Sequence, residues 1–169
     1  MNTVKKLIVI GVLVAILLLG ALADFIISLT YEIEVVSVQR QGGPVYTAEG
    51  EPLAEDIGVA DGETYVQFVV RVTQGGAARQ GHTLYVKTNR NIVGRVITDE
   101  NGYAQFSYRC YRAGTNDPAD PVTVTVRDEN NSFFIFVPAE QSYSLEMVKP
   151  ASGDEGSGMT TDDIFYDIR

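Results

Sequence analysis

Ala60-Asp61-Gly62-Glu63-Thr64-Tyr65-Val66-Gln67-Phe68-Val69-Val70-Arg71-Val72 and, further on, Ile97-Thr98-Asp99-Glu100-Asn101-Gly102-Tyr103-Ala104-Gln105-Phe106-Ser107-Tyr108 decide the fold. In the first stretch Val66, Phe68, Val70 and Val72 fall on one face and Gln67 and Arg71 on the other, the alternation of a half-buried strand. In the second, Asn101-Gly102 supplies the positive φ angles that hairpin turns need, so Arg95 to Thr98 and Tyr103 to Phe106 are expected to pair as a β-hairpin. Past that turn Ala104, Phe106, Tyr108 and Cys110 share one face, while Gln105, Ser107, Arg109 and Tyr111 share the other. Cys110 therefore belongs to the core.

Working outward, the same period recurs. Tyr31 to Val35 alternates apolar with acidic residues, as a short connecting strand would. A long loop from Gln39 to Gly62 follows, containing Gly42-Gly43-Pro44 and Glu51-Pro52. Leu84 to Thr88 and Val93 to Thr98 are short strands separated by Asn89-Arg90-Asn91, a turn-forming group. Val122 to Val126 alternates until Asp128-Glu129-Asn130-Asn131 turns the chain. The last strands run from Phe133 to Val148, and Pro138 divides them or marks an edge position, because proline cannot donate to a central ladder. Short strands with regular turns predict an all-β, antiparallel β-sandwich.

The N-terminus is of another kind. Lys5 and Lys6 precede an apolar run from Leu7 to Ala23, and Phe25-Ile26-Ile27 extends it past Asp24. Leu7 to Leu29 as a helix spans roughly 34 Å, enough for a hydrocarbon core of roughly 30 Å, whereas Leu7 to Ala23 alone spans roughly 25 Å. Two readings fit. The segment is a transmembrane helix in contact with the lipid bilayer through residues 7–29, or a signal peptide cleaved after Ala21-Leu22-Ala23. The run exceeds the usual length of a cleaved signal, which favours the anchor. Lys5 and Lys6 hold the N-terminus in the cytoplasm, so the rest of the chain is expected outside it: single-pass at the cell membrane, or secreted if cleaved.

The formal net charge is −9 over 169 residues, and its placement is uneven. Six acids and no base lie between Glu49 and Glu63, and five acids against two bases between Lys149 and Arg169. The remainder balances, which argues against nucleic acid as a partner, since that needs a basic stripe. The chain thus divides into an anchor or signal segment (1–29), a connecting strand and acidic loop (30–62), a sandwich (63–148) and a disordered acidic tail (149–169), the last too rich in Gly, Ser and acids to build a core. At its end Ile164, Phe165, Tyr166 and Ile168 restore apolar character, and they are the candidate partner-binding residues, as a short segment that pairs with a sheet edge or groove.

The stretch from Gly58 to Val148 resembles the bacterial immunoglobulin-like group 1 domains of invasin- and intimin-type surface proteins. The residues that carry the resemblance are Ala60 to Thr64 leading into the Tyr65 to Val72 strand, the Thr98 to Ala104 turn and the Val122 to Val126 strand. Where that family has a Gly-x-Pro-Val-x-Gly turn after its second strand, Thr73 to Gly81 stands here instead. The resemblance implies an immunoglobulin-like sandwich at the cell surface, with roles in adhesion, spacing or assembly. Such domains tend to occur in tandem, whereas this chain shows one copy and no internal repeat. A lone tethered domain fits an accessory module that binds another envelope or surface protein; self-association into a polymer or surface layer is the alternative.

Reactive chemistry is sparse. His82 is the sole histidine, which excludes multi-histidine zinc sites; beside Gly81 and with no nucleophile elbow nearby, it reads as a solvated loop imidazole rather than a member of a catalytic triad. Three acidic turns, at Asp99-Glu100-Asn101, Asp117 to Asp120 and Asp128 to Asn131, contain oxygen ligands suited to calcium, yet turn formation accounts for each and none has an EF-hand signature. Many of the nine Tyr and seven Phe fall on core-facing strand positions and are read as core filling, with Trp absent. No cofactor, no metal and no enzymatic activity are expected.

Overall fold

The computed structural model describes residues 3–47, 50–130 and 138–150. It is mostly β, with antiparallel sheets and one N-terminal apolar helix. Helix α1, Thr3–Ser28, leaves its apolar side chains uncovered by protein, and it is long and apolar enough to cross a bilayer or to serve as a signal sequence. No glycine ends it. Hydroxyls do so instead: Ser28 Oγ donates to the Phe25 carbonyl and Thr30 Oγ1 to that of Ile27, each at 2.7 Å, meeting acceptors that the last turn leaves free.

Ten strands follow among the described residues: β1 Tyr31–Arg40, β2 Gly58–Val59, β3 Tyr65–Gln74, β4 Ala77–Ala78, β5 Thr83–Thr88, β6 Ile92–Ile97, β7 Tyr103–Arg109, β8 Val122–Asp128, β9 Glu140–Leu145 and β10 Met147–Val148. One sheet places β3 between β1 and β7, with β4 extending the β7 side; the other runs β6-β5-β8-β9. The expected alternation puts Val66, Phe68, Val70 and Val72 of β3, Ala104, Phe106 and Tyr108 of β7, and Val122, Val124 and Val126 of β8 into a single buried cluster fed by both sheets. Phe68 stacks on its cross-strand partner Phe106 at 5.2 Å between centroids and takes the edge of Tyr143 from the opposite sheet at 5.8 Å. These rings join the two layers.

Four expectations change. The Asp99 to Gly102 turn forms, with Gly102 N donating to the Asp99 carbonyl at 3.0 Å, but it makes no hairpin: β6 pairs with β5 and β7 with β3, so the turn carries the chain from one sheet to the other. The hairpin lies one turn earlier, at Thr88 to Asn91, where the Thr88 hydroxyl accepts from Arg90 N and Asn91 N. The connecting strand does not stop at Val35. It runs to Arg40 and pairs with β3 from Tyr31↔Gln74 to Arg40↔Val66. Tyr111, placed on the outer face by extrapolating the period of β7, is buried, because the strand ends at Arg109 and alternation ends with it. Finally, one short pair is parallel: Met147↔Gly58 and Val148↔Val59. The start of the last predicted strand, Phe133, lies outside the described residues.

Candidate functional site

Strand direction gives the domain two ends. Tyr31, Gln74, Tyr103, Thr83, Asp128 and Glu140 mark the end at which α1 enters, and Arg40, Tyr65, Arg109, Val122 and Leu145 mark the far end. Each end has an organised cluster of polar groups.

At the far end the cluster is built on Arg40, and its orientation comes from a bulge. Ile33 and Val35 face the core, an extra residue enters at Val36, and the register resumes with Ser37↔Val69 and Val38↔Phe68. From there the even positions face inward, so Arg40 comes to the core side instead of joining Glu32 and Glu34 outside. Its guanidinium then donates to the carbonyls of Leu53 (3.1 Å), Ala54 (2.8 Å) and Ile57 (2.8 Å), and its backbone N to that of Glu55. Five donors on a rigid plane suit this task. The stretch from Leu53 to Ile57 of the acidic loop is thereby tied to β1, leaving Glu51, Glu55 and Asp56 exposed and Tyr46 more than half exposed. Asp56 and Glu146 both bear on Tyr143; burial first, and then those two carboxylates, raise its phenol above the ordinary tyrosine value.

The motif Ala60 to Thr64 closes this end of the sheet. Asp61 Oδ1 accepts from Glu63 N (2.8 Å) and Thr64 N (2.7 Å), and Oδ2 from the Thr64 hydroxyl, an Asx turn that launches β3. Gly58 stands where a Cβ would lie 2.6 Å from Met147 Sδ and 3.0 Å from Cys110 Sγ, so a side chain there would force the Met147 thioether aside. Cys110 is buried there, as its parity predicts.

At the helix end the sequence reading of His82 is corrected. The imidazole is mostly buried, its side chain 13% exposed, and Nδ1 lies 2.7 Å from Oδ2 of Asp128, which is fully buried. This bond fixes which edge of the imidazole faces β8. Asp128 Oδ1 takes the N–H of Asn130 at 2.8 Å, satisfying the second oxygen. Thr98 secures the other side: its hydroxyl accepts from His82 N (2.9 Å) and donates to the Arg79 carbonyl (2.6 Å). The Tyr31 ring lies against the imidazole at 5.5 Å, with the Arg79 guanidinium 5.8 Å from the same ring. Beside it, Ser28, Leu29, Tyr31, Glu32, Ile33 and residues 138–141 line a pocket of about 300 Å³.

Of the acidic turns, Asp99 spends its Oδ1 on the N–H groups of Asn101 and Tyr103, and Asp128 is bonded as above. Glu129 instead pairs with Arg95 through both oxygens, at 2.8 and 3.1 Å, and that hydrogen bonding holds its carboxyl below the usual carboxylate range. Among the described residues no three His, Cys, Asp or Glu side chains come together as a metal site would require. Ile164, Phe165, Tyr166 and Ile168 lie outside the described residues. Tyr65, Tyr85 and Tyr103 are half-buried on strand faces opposite the core.

The sequence held two signals for these clusters. Asp128 shares the parity of Val122, Val124 and Val126, which marks a carboxylate on a core face, and the Val35-Val36 doublet marks the bulge that turns Arg40 inward. No family model, no curated protein and no solved structure matches this chain.

Proposed function

We propose that this protein is a membrane-tethered, extracytoplasmic immunoglobulin-like domain that binds another envelope or surface protein without catalysing a reaction. The group 1 resemblance carried by Ala60 to Thr64 and by the Asp99 turn belongs to this reading, and α1 supplies the tether. The observation that carries it is the Arg40 pin. A loop of this length with so many acids would ordinarily sample many shapes, and fixing it in advance lowers the entropy lost when a partner docks. The pinned surface lies at the end away from the helix, where a neighbouring protein can reach it. The absence of a catalytic role is supported by His82, whose Nδ1 is committed to Asp128 and whose ring is covered by Tyr31.

Site-specific photo-crosslinking in native membranes tests the proposal. A crosslinker at Tyr46 or Glu55 is expected to yield one protein adduct that is absent from a control position on β5, Lys87, and lost on Arg40→Ala while the domain stays folded. Removing residues 162–169 in parallel separates a contribution of Ile164 to Ile168 from that of the loop. Adducts no stronger at Tyr46 and Glu55 than at Lys87 would defeat the reading.

One observation favours a second reading, subunit of an extracellular polymer. β6 is a terminal strand of its sheet and carries Ile97, 64% exposed, an arrangement open to strand addition by another copy. Sedimentation at high concentration distinguishes the two, since a strictly monomeric chain excludes the polymer.

A further inference from the structure

Only Leu29 and Thr30 separate α1 from β1, and β1 is paired from its first residue, Tyr31↔Gln74. The Thr30 carbonyl accepts from Gly75 N at 3.0 Å, so the chain is tied to the β3–β4 turn before the strand begins. Tyr31 then rests its ring on an imidazole bonded through Nδ1 to Asp128. His82 is held by its backbone N to Thr98, by Nδ1 to Asp128, and by the position of Asp128 as the last core-facing residue of β8. On the other flank of Tyr31 lies the pocket of about 300 Å³. Among the described residues, the rings and guanidinium that meet the Tyr31 ring are those of His82 and Arg79.

We propose that Tyr31, His82 and Asp128 form a clamp that fixes the attitude of the domain on its helix, so the junction is a rigid coupling and not a swivel. The proposal rests on the reading that α1 stays attached and in the bilayer. Its functional content is geometric. From Tyr31 to Arg40 β1 spans about 30 Å, so it acts as a lever between the clamp and the pinned loop. Any tilt or rotation of the helix is then delivered to the loop, and the height at which the loop meets a partner is set by the junction. A swivel would deliver neither.

Tyr31 is the informative position, because it takes part in the clamp without entering the His82–Asp128 bond. The full chain is placed in lipid nanodiscs, one copy per disc, with nitroxides at Leu22→Cys on the helix and Lys87→Cys on β5 and with Cys110→Ala to remove the native thiol. Double electron–electron resonance is expected to give a single narrow distance distribution. Tyr31→Ala should lose it, broadening the distribution with the thermal midpoint of the domain little changed, and Tyr31→Phe, which keeps the ring, should restore it. His82→Gln gives the same broadening by a second route. A broad distribution in the parent chain, or a narrow one in Tyr31→Ala, overturns the clamp. A mature mass beginning at Asp24 overturns the anchor reading and leaves the clamp no helix to hold, so the two failures are told apart.

Discussion

At the scale of single residues, Arg40, Asp61, His82, Thr98 and Asp128 are each held by partners fixed by geometry, and Tyr143 shows how burial acts on a titratable group. Its phenol is raised chiefly by burial, and then by Asp56 and Glu146. A raised acid favours its neutral form in the folded state, so the contribution is intact below the ordinary tyrosine value of 10.0 and is lost as pH climbs through the folded value. Thermal unfolding from pH 8 to about 11 should show the parent losing stability faster than Tyr143→Phe, which keeps the edge contact on Phe68 and has no proton to lose. Parallel curves would mean that Tyr143 titrates as if exposed. His82 makes the complementary point about legibility. Its neighbour Gly81 and its loop setting are local and were readable, but its partner is 46 positions away, and only the pairing Leu84↔Asp128 brings the two together. Burial of a loop side chain depends on what the fold places beside it, and that information is not local.

At the scale of elements, turn chemistry and strand faces were written in the sequence, whereas the choice of partner strand was not. Asp99, Asn101 and Gly102 specify a tight turn, and the turn is there. Asn-Gly is compatible with a hairpin, but here β7 pairs with the edge of β3 through Phe68↔Phe106 and Val66↔Tyr108, and β6 with β5, so the same turn spans two layers. Thr98 helps to set the departure, since its hydroxyl is bonded into the Arg79 to His82 segment just as the chain leaves its sheet. Gly102 is needed at that crossing for two reasons: φ is +80°, and a Cβ would lie 2.6 Å from the Val72 carbonyl oxygen and 3.1 Å from Arg79 N. Both are backbone atoms with little freedom to move. Gly102→Ala should therefore cost about 1–3 kcal/mol, the range for one strained backbone position, and lower the thermal midpoint, whereas Gly43→Ala, with open space around it, should leave the midpoint unchanged. Equal effects would show that the crossing tolerates a side chain. The acidic loop was legible as a loop, but its order was not, because the Arg40 pin depends on a one-residue bulge that reverses the strand's parity.

At the scale of the whole molecule, the helix and the pinned loop sit at opposite ends of one lever, and the value of that arrangement depends on α1 being retained. Asp24 is the residue on which retention turns. At mid-bilayer a carboxylate costs about 2.5–3.5 kcal/mol, but Asp24 stands four positions before the helix end at Ser28, about 6 Å along the axis, close enough to the interface to reach water. A retained helix would place most of the apolar run from Leu7 to Ala23 in the hydrocarbon, with Phe25 to Leu29 completing the span and Lys5 and Lys6 at the opposite surface. A retained helix predicts that the chain stays with the membrane fraction after alkaline carbonate extraction, has a mature mass that includes Leu7 to Ala23, and is cut by protease added to the extracytoplasmic side. Mutating Ala21 and Ala23 to Leu, which removes the small-residue pattern a peptidase reads, should then leave the mature mass shifted only by the substitutions themselves. Were Ala23 a cleavage site, the parent would begin at Asp24 and appear in the soluble fraction, and the double variant alone would be held in the membrane.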